Sequence, residues 1–356
     1  MLRIKPINAY TSERVLDLCI SGVDENRSKA LSQRLKNARY QIIQDFKIFE
    51  SLIATNSLQL LPKDFKAKYL DNTILEDDDL EKLYTQYLVG SGKPAREVYD
   101  KIRTLNGICP YCGINEVYEV DHFFPKSKYQ QYSVCLHNLL PACHACNHIK
   151  SDKDPVSSKG SIIYPFLIDN CYFNEQWIIA NYNPSDKIFE FECCPPTSWS
   201  NIQKENANFH FNYFEIARRF SSFSSSKLNS YIEFSRYFIL QELIEVKDLE
   251  GLPPNDCERL MFEALKRYFQ NKVQVSQQLK VCPRCKGKGI ILGITCEICN
   301  GNGAIMASAL SSYSENEIQK DFQCSHPNSN SRDCNLCRGI GNVSYEKAHA
   351  YRCLST

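Results

Sequence analysis

The chain has 356 residues, 43% of them hydrophobic and 23% charged, with 42 Lys and Arg against 41 Asp and Glu for a formal net charge of +1. Length predicts about two domains. The composition excludes a disordered polyelectrolyte and excludes nucleic-acid binding through wholesale basicity, so any such partner has to be read from local chemistry. The opening Met1-Leu2-Arg3-Ile4-Lys5-Pro6 has no apolar signal core, and no run approaches the length of a membrane span. A cytoplasmic protein without membrane segments is expected.

Residues 1–108 read as a helical region. Leu31, Leu35, Ala38, Ile42, Phe46 and Phe49 recur at close to 3.6 residues, and Pro62 interrupts. A second helix is expected from Glu76-Asp77-Asp78-Asp79 followed by Leu80, Leu83, Tyr84, Tyr87 and Leu88. Carboxylates in a first turn suit the positive end of the helix dipole; a patch that mimics or repels DNA is the lesser alternative. Gly90-Ser91-Gly92-Lys93-Pro94 is a turn. A third helix places Val98, Ile102 and Leu105 on one face and ends near Gly107.

Residues 109–155 form a different segment, treated below. In 156–279, the stretch 160–205 mixes short apolar runs with Pro, Asn and Ser and reads as loops with a few short strands. Helical spacing returns over Phe209–Phe220, then at Leu228, Ile232, Ser235, Ile239 and Leu243. After the Pro253-Pro254-Asn255-Asp256 start signal comes a helix carrying Met261, Leu265 and Tyr268. The aromatic residues Phe209, Phe211, Tyr213, Phe214, Phe220 and Phe223 fit a core better than a base-stacking surface.

Eighteen cysteines are unusual for a chain without an export signal. Eleven lie in or beside Cys-x-x-Cys pairs, which points to thiolate metal ligands. Cys19, Cys135, Cys171, Cys193, Cys194, Cys257 and Cys353 are scattered, and core filling accounts for most of them. Cys109-Pro110-Tyr111-Cys112 and Cys143-His144-Ala145-Cys146 together offer four thiolates to a tetrahedral Zn²⁺. Such a closed site is structural, because it leaves no open coordination position.

Between and after these knuckles stand Asp121-His122, His137-Asn138-Leu139-Leu140-Pro141 and Asn147-His148-Ile149-Lys150-Ser151-Asp152. The order Cys-x-x-Cys, Asp-His, Asn-Leu-Leu-Pro-x-Cys-x-x-Cys-Asn-x-x-Lys-Ser-Asp resembles the zinc-knuckled HNH endonucleases, in a variant with Asn as the last letter. The likeness covers roughly 45 residues, 109–155. It implies a ββα-metal core between helical regions, within an α+β, mostly helical protein. It also implies Asp121 and Asn147 as ligands of a catalytic Mg²⁺ or Mn²⁺, for which hard oxygen donors are suited. His122, with an ordinary pKa near neutrality, is the natural base for the attacking water. On a regular strand Asp121 would face away from it, whereas the family's geometry brings Asp121 to the metal. Asn138, by resemblance, ties the loop between the strands so that His122 is aimed. Lys150 is a candidate phosphate contact or a solvated surface lysine. His148 is the alternative to Asn147 as ligand.

From 280 to 356 the pattern Cys-x-x-Cys-x-Gly-x-Gly occurs at Cys282/Cys285, Cys296/Cys299 and Cys334/Cys337. It resembles the cysteine-rich zinc module of DnaJ-type co-chaperones, in which two repeats share one zinc. Cys282, Cys285, Cys296 and Cys299 are therefore one expected ligand set. Cys324, His326, Cys334 and Cys337 form a candidate second set, unless the first repeat pairs with the third. Docking of a partner or of the nuclease is the expected role; DNA contact, helped by Lys280, Arg284, Lys286, Lys288 and Arg338, is the second.

Two functions follow. One is a DNA-cutting, metal-dependent nuclease, holding two or three structural zinc ions and acting on double-stranded DNA, where one site cuts one strand and a double-strand break needs a homo-oligomer or repeated nicking. The other is a catalytically silent, zinc-stabilised module that binds nucleic acid or protein. Analogy with bacterial HNH proteins suggests a phage-defence or restriction setting and an ATPase or sensor partner.

Overall fold

In this computed structural model the described residues are 2–5, 7–166, 171–234 and 251–286, with short stretches at 290–291, 294–300, 302, 304–306, 310, 312–320, 322–323 and 342–343. The chain divides into two units, Met1–Lys266 and Arg267–Thr356.

In the first unit, α1 (Ser12–Ser21) begins where the Thr11 side chain accepts from the Arg14 amide at 3.1 Å, satisfying one orphan donor of the first turn. It lies within the 1–108 region expected to be helical, in a stretch too short for its spacing to mark a separate element. α2 (Lys29–Ala54) buries the expected stripe from Leu31 to Phe49. α3 (Asp79–Lys82) runs on into a π-helical turn, Leu83–Leu88. The acidic start of α3 does more than meet a dipole. Asp79 is buried and accepts both arms of Arg34, at 2.7 and 2.9 Å. α4 (Arg96–Arg103) buries Val98 and Ile102 and ends at Thr104, before Gly107.

β1 (Glu119–His122) and β2 (Leu139–Ala142) pair antiparallel, with Glu119 opposite Ala142 and His122 opposite Leu139. α5 (His144–Lys150) follows directly, capped by the Cys143 sulfur, which accepts from the Cys146 amide. The loop 123–138 is held from outside by Phe49, whose ring meets Phe124 at 5.8 Å and Tyr132 at 5.3 Å edge-on. An α+β, mostly helical protein with small two-stranded sheets is the result.

Beyond the core, β3 (Val156–Ser157) and β4 (Gly160–Ser161) form a small hairpin. α6 (Cys171–Asn174) precedes a longer hairpin, β5 (Ile178–Asn183) with β6 (Ile188–Cys193). Trp177 is fully buried, and its indole donates to the Tyr172 carbonyl at 2.9 Å. The helix expected over Phe209–Phe220 is two helices, α7 (Asn201–Tyr213) and α8 (Ile216–Phe234). Glu215 adopts φ 51°, a left-handed conformation that a continuous α-helix excludes. Phe211, Phe214 and Phe220 are core residues, whereas Phe209, Tyr213 and Phe223 are half-buried. The positions expected at Ser235, Ile239 and Leu243 lie outside the described residues. α9 (Cys257–Gln278) follows the predicted start signal. Among the described residues, no helix is long and apolar enough to cross a membrane.

In the second unit, β7 (Leu279–Val281) pairs antiparallel with β8 (Ala304–Met306), and a minimal hairpin joins 290–291 to 294–295 between them.

Candidate active site and metal centres

The first metal centre is assembled from a knuckle and a strand-to-helix junction. Gly113, at φ 72°, turns the chain so that its amide donates to the Cys109 carbonyl at 2.8 Å. Cys143 closes β2, and Cys146 lies one turn into α5. The four sulfurs of Cys109, Cys112, Cys143 and Cys146 are buried within 4.8 Å of one another, Cys112 and Cys143 at 3.9 Å. A tetrahedral ion with Zn–S bonds of about 2.3 Å needs sulfur separations of about 3.8 Å. The fit is close, and these four residues could hold zinc. Without a cation the sulfurs cannot all ionise: hydrogen bonds from neighbouring thiols push Cys112 down, while burial pushes Cys109 up. Arg219 of α8 reaches this cluster, its Nη1 donating to Cys146 Sγ at 3.1 Å and its Nη2 to Cys143 Sγ at 3.7 Å.

Beside this cluster opens a cavity of about 510 Å³ lined by Asp121, His122 and Asn147, together with Tyr84, Lys126 and His148. His122 Nε2 is 2.8 Å from the Ser133 carbonyl oxygen. A carbonyl only accepts, so Nε2 carries the proton and Nδ1 keeps its lone pair. Among the described residues none hydrogen-bonds Nδ1. Burial pushes the imidazole pKa down to about 3, so the ring is neutral. Tyr84 lies against it, ring centroids 4.3 Å apart.

Asp121 borders the same cavity although it neighbours His122 on β1, the strand ending at His122. The Tyr111 hydroxyl donates to its Oδ2 at 2.9 Å, and Lys150 Nζ lies 3.2 Å from Oδ1. Burial raises its carboxyl above the usual range, opposed by the Lys150 charge and the Tyr111 hydroxyl. Asn147 is half-buried, and among the described residues its side-chain amide has no hydrogen-bond partner. Asp121 and Asn147 thus line one cavity, and both carry oxygen donors of the kind that suits a hard divalent ion. His148 is exposed on the same rim.

Asn138 is fully buried and spans the β1–β2 loop. Its Oδ1 accepts from the Phe124 amide at 2.8 Å, and its Nδ2 donates to the carbonyls of Phe124 (3.0 Å) and Tyr132 (3.1 Å). Lys150 corrects both sequence readings. It is neither a surface lysine nor open to a phosphate, being buried with its ammonium on Asp121 and the His122 carbonyl.

The second centre gathers Cys282, Cys285, Cys296 and Cys299, also within 4.8 Å of one another. Cys282 and Cys296 are 3.8 Å apart, and Cys285 and Cys299 are 3.6 Å apart. This arrangement too could bind zinc, and it pairs the first repeat with the second. Arg284, expected as a possible DNA contact, is instead buried, its Nη1 donating to the Lys320 carbonyl at 2.9 Å. The candidate set Cys324, His326, Cys334 and Cys337 lies outside the described residues. Of the scattered cysteines, Cys19, Cys135 and Cys257 are buried, Cys171 and Cys193 half-buried and Cys194 exposed; Cys353 is outside the described residues.

Sequence reading missed Tyr84, Tyr111, Ser133, His210 and Arg219. His210 of α7 is buried, its Nε2 donating to the Tyr111 carbonyl (2.8 Å) and its Nδ1 accepting from the Ile163 amide (3.2 Å). Burial pushes its pKa down to about 3. The one available signal was a charged or polar residue on an otherwise apolar helical face, as at His210 and Arg219.

Neither a family model nor a solved structure matches the chain. Protein ea31 of Escherichia phage lambda is 32% identical over 212 residues, 52% of this chain and 71% of that protein. The chain belongs to the ea31 family. The Septu protein PtuB of Bacillus thuringiensis is 35% identical over 92 residues, which are 24% of this chain and 35% of PtuB.

Proposed function

We propose that this member of the ea31 family is a metal-dependent endonuclease of the HNH type that hydrolyses DNA phosphodiester bonds. The observation that carries the reading is His122: its Nε2 is spent on Ser133, and among the described residues its Nδ1 has no hydrogen-bond partner, at a cavity shared with Asp121 and Asn147.

His122 Nδ1 accepts the proton of the attacking water. The ring is neutral before substrate arrives, and an anionic phosphate alongside it favours the imidazolium that forms. Asp121 and Asn147 would hold Mg²⁺ or Mn²⁺, which would supply positive charge to the phosphate during hydrolysis. Tyr111 and Lys150 hold the Asp121 carboxylate in place, and Asn138 braces the loop that carries the Ser133 carbonyl. The four-sulfur cluster of Cys109, Cys112, Cys143 and Cys146 ties the knuckle that precedes β1 to the junction of β2 and α5, next to Asn147.

One such site cuts one strand. Similarity to a phage-lambda protein supports a phage-associated role, and within it we place a defence or restriction effector that works with an ATPase or sensor partner. The test is nicking of supercoiled plasmid with Mg²⁺ or Mn²⁺. Wild type opens the circle and His122→Ala does not; equal behaviour of the two overturns the proposal in favour of a silent binding module.

A further inference from the structure

The helical segment Asp79–Leu88 belongs to the region whose role the sequence leaves open, yet it makes four contacts with the cavity wall and the residue that holds His122. The Tyr84 ring packs edge-on against His122 at 4.3 Å and is only 8% exposed. The Tyr84 hydroxyl donates to the Val120 carbonyl, two residues before the histidine, at 3.2 Å. The Leu80 carbonyl accepts from the Ser133 hydroxyl at 3.1 Å, and Ser133 is the residue whose own carbonyl receives His122 Nε2. Glu81 pairs with Lys126, another residue of the cavity wall. The second half of the segment is π-helical, a winding that recurs at functional sites.

We infer that this segment is a clamp on the imidazole, with Tyr84 as a positioning residue that fixes the ring plane and Leu80, through Ser133, fixing the tautomer. An imidazole can turn about its side-chain bonds. Turned by half a rotation, it would put Cδ2–H where Nδ1 stands and take Nε2 off the Ser133 carbonyl, and it could not act as a base there. The Tyr84 ring stands in the way of that rotation on one side. The Ser133 carbonyl holds the far nitrogen, and the bond from the Ser133 hydroxyl to Leu80 adds to the hold that Asn138 gives the loop. The inference rests on the nuclease reading for its catalytic meaning, but the clamp can be measured without any cleavage.

Two readouts separate the cases. Imidazole ¹⁵N spectra of the full chain identify the tautomer of His122, assigned by its loss in His122→Ala. Wild type gives a single Nε2–H form, Tyr84→Phe keeps it, and Tyr84→Ala gives a mixture. In the nicking assay Tyr84→Ala lowers kcat by roughly 10- to 100-fold, as expected for a misplaced base. KM stays within about threefold, and Tyr84→Phe restores most of the rate because the ring is retained. Ser133→Ala, which removes only the hydroxyl, decides the matter if Tyr84→Ala does not fold; it too broadens the tautomer signal. An unchanged tautomer in both Tyr84→Ala and Ser133→Ala overturns the clamp. A wild-type chain that shows the single tautomer and cuts nothing leaves the clamp standing and removes the nuclease.

Discussion

Arg219 Nη1 lies 3.1 Å from Cys146 Sγ, bringing a buried guanidinium from α8 against the sulfur cluster that closes the ββα core. Outer groups of this kind offset the negative charge that thiolates and a dication leave behind, and their loss typically lowers metal affinity by about 10- to 100-fold. Arg219→Leu is therefore expected to release zinc to a chromogenic chelator roughly tenfold faster than wild type or more, with Arg219→Lys between them. Identical release rates in all three would show that the contact carries no weight.

Removing Lys150 should be costly. Lys150→Met leaves the Asp121 carboxylate buried without its ion pair, a change that usually destabilises by about 3–5 kcal/mol. Urea unfolding with zinc present measures it. A loss below about 1 kcal/mol, the range of exposed pairs, would mean that water reaches Asp121 freely.

His210 makes stability fall in acid. Its folded pKa is about 3, whereas an unperturbed histidine lies near 6.5. Below pH 6.5 the unfolded chain takes up a proton that the folded chain refuses, so stability is complete above that value and is lost as the pH falls toward 3. By pH 5 this one residue costs about 2 kcal/mol. The gap in unfolding free energy between wild type and His210→Gln should shift by that amount, against wild type, between pH 7.5 and pH 5. A gap that does not move with pH would refute the assignment.

Metal content and metal requirement should separate. After dialysis the chain is expected to retain two zinc ions, or three if the outer cysteines of the tail form their own site. A brief EDTA treatment should abolish nicking while leaving that zinc bound, because a Mg²⁺ or Mn²⁺ ion held by Asp121 and Asn147 would keep water ligands and exchange readily. Fewer than two zinc ions by elemental analysis would contradict the two four-cysteine centres.

Much of the site was legible because its signals are local. A Cys-x-x-Cys pair needs one tight turn to aim both sulfurs, so spacing alone identified Cys109 with Cys112 and Cys282 with Cys285. The α2 stripe was legible for a similar reason, since 3.6-residue periodicity is a property of adjacent turns. The single helix expected over Phe209–Phe220 failed at Glu215, because the apolar pattern continues through a residue whose backbone reverses hand. Lys150 was misjudged because nothing in its neighbourhood announces a buried carboxylate 29 positions away.

Ligand chemistry and the order of elements were thus determined by the amino-acid sequence itself, through turn geometry and short periods. Which side chains surround His122, Asp121 and the sulfur cluster was decided only in three dimensions. Tyr84, Lys150 and Arg219 act across 38, 29 and 73 positions of chain, and their partners are chosen by the packing of helices onto the ββα core. Buried charge and ring contact depend on the whole surrounding volume, and a linear pattern carries no record of that volume.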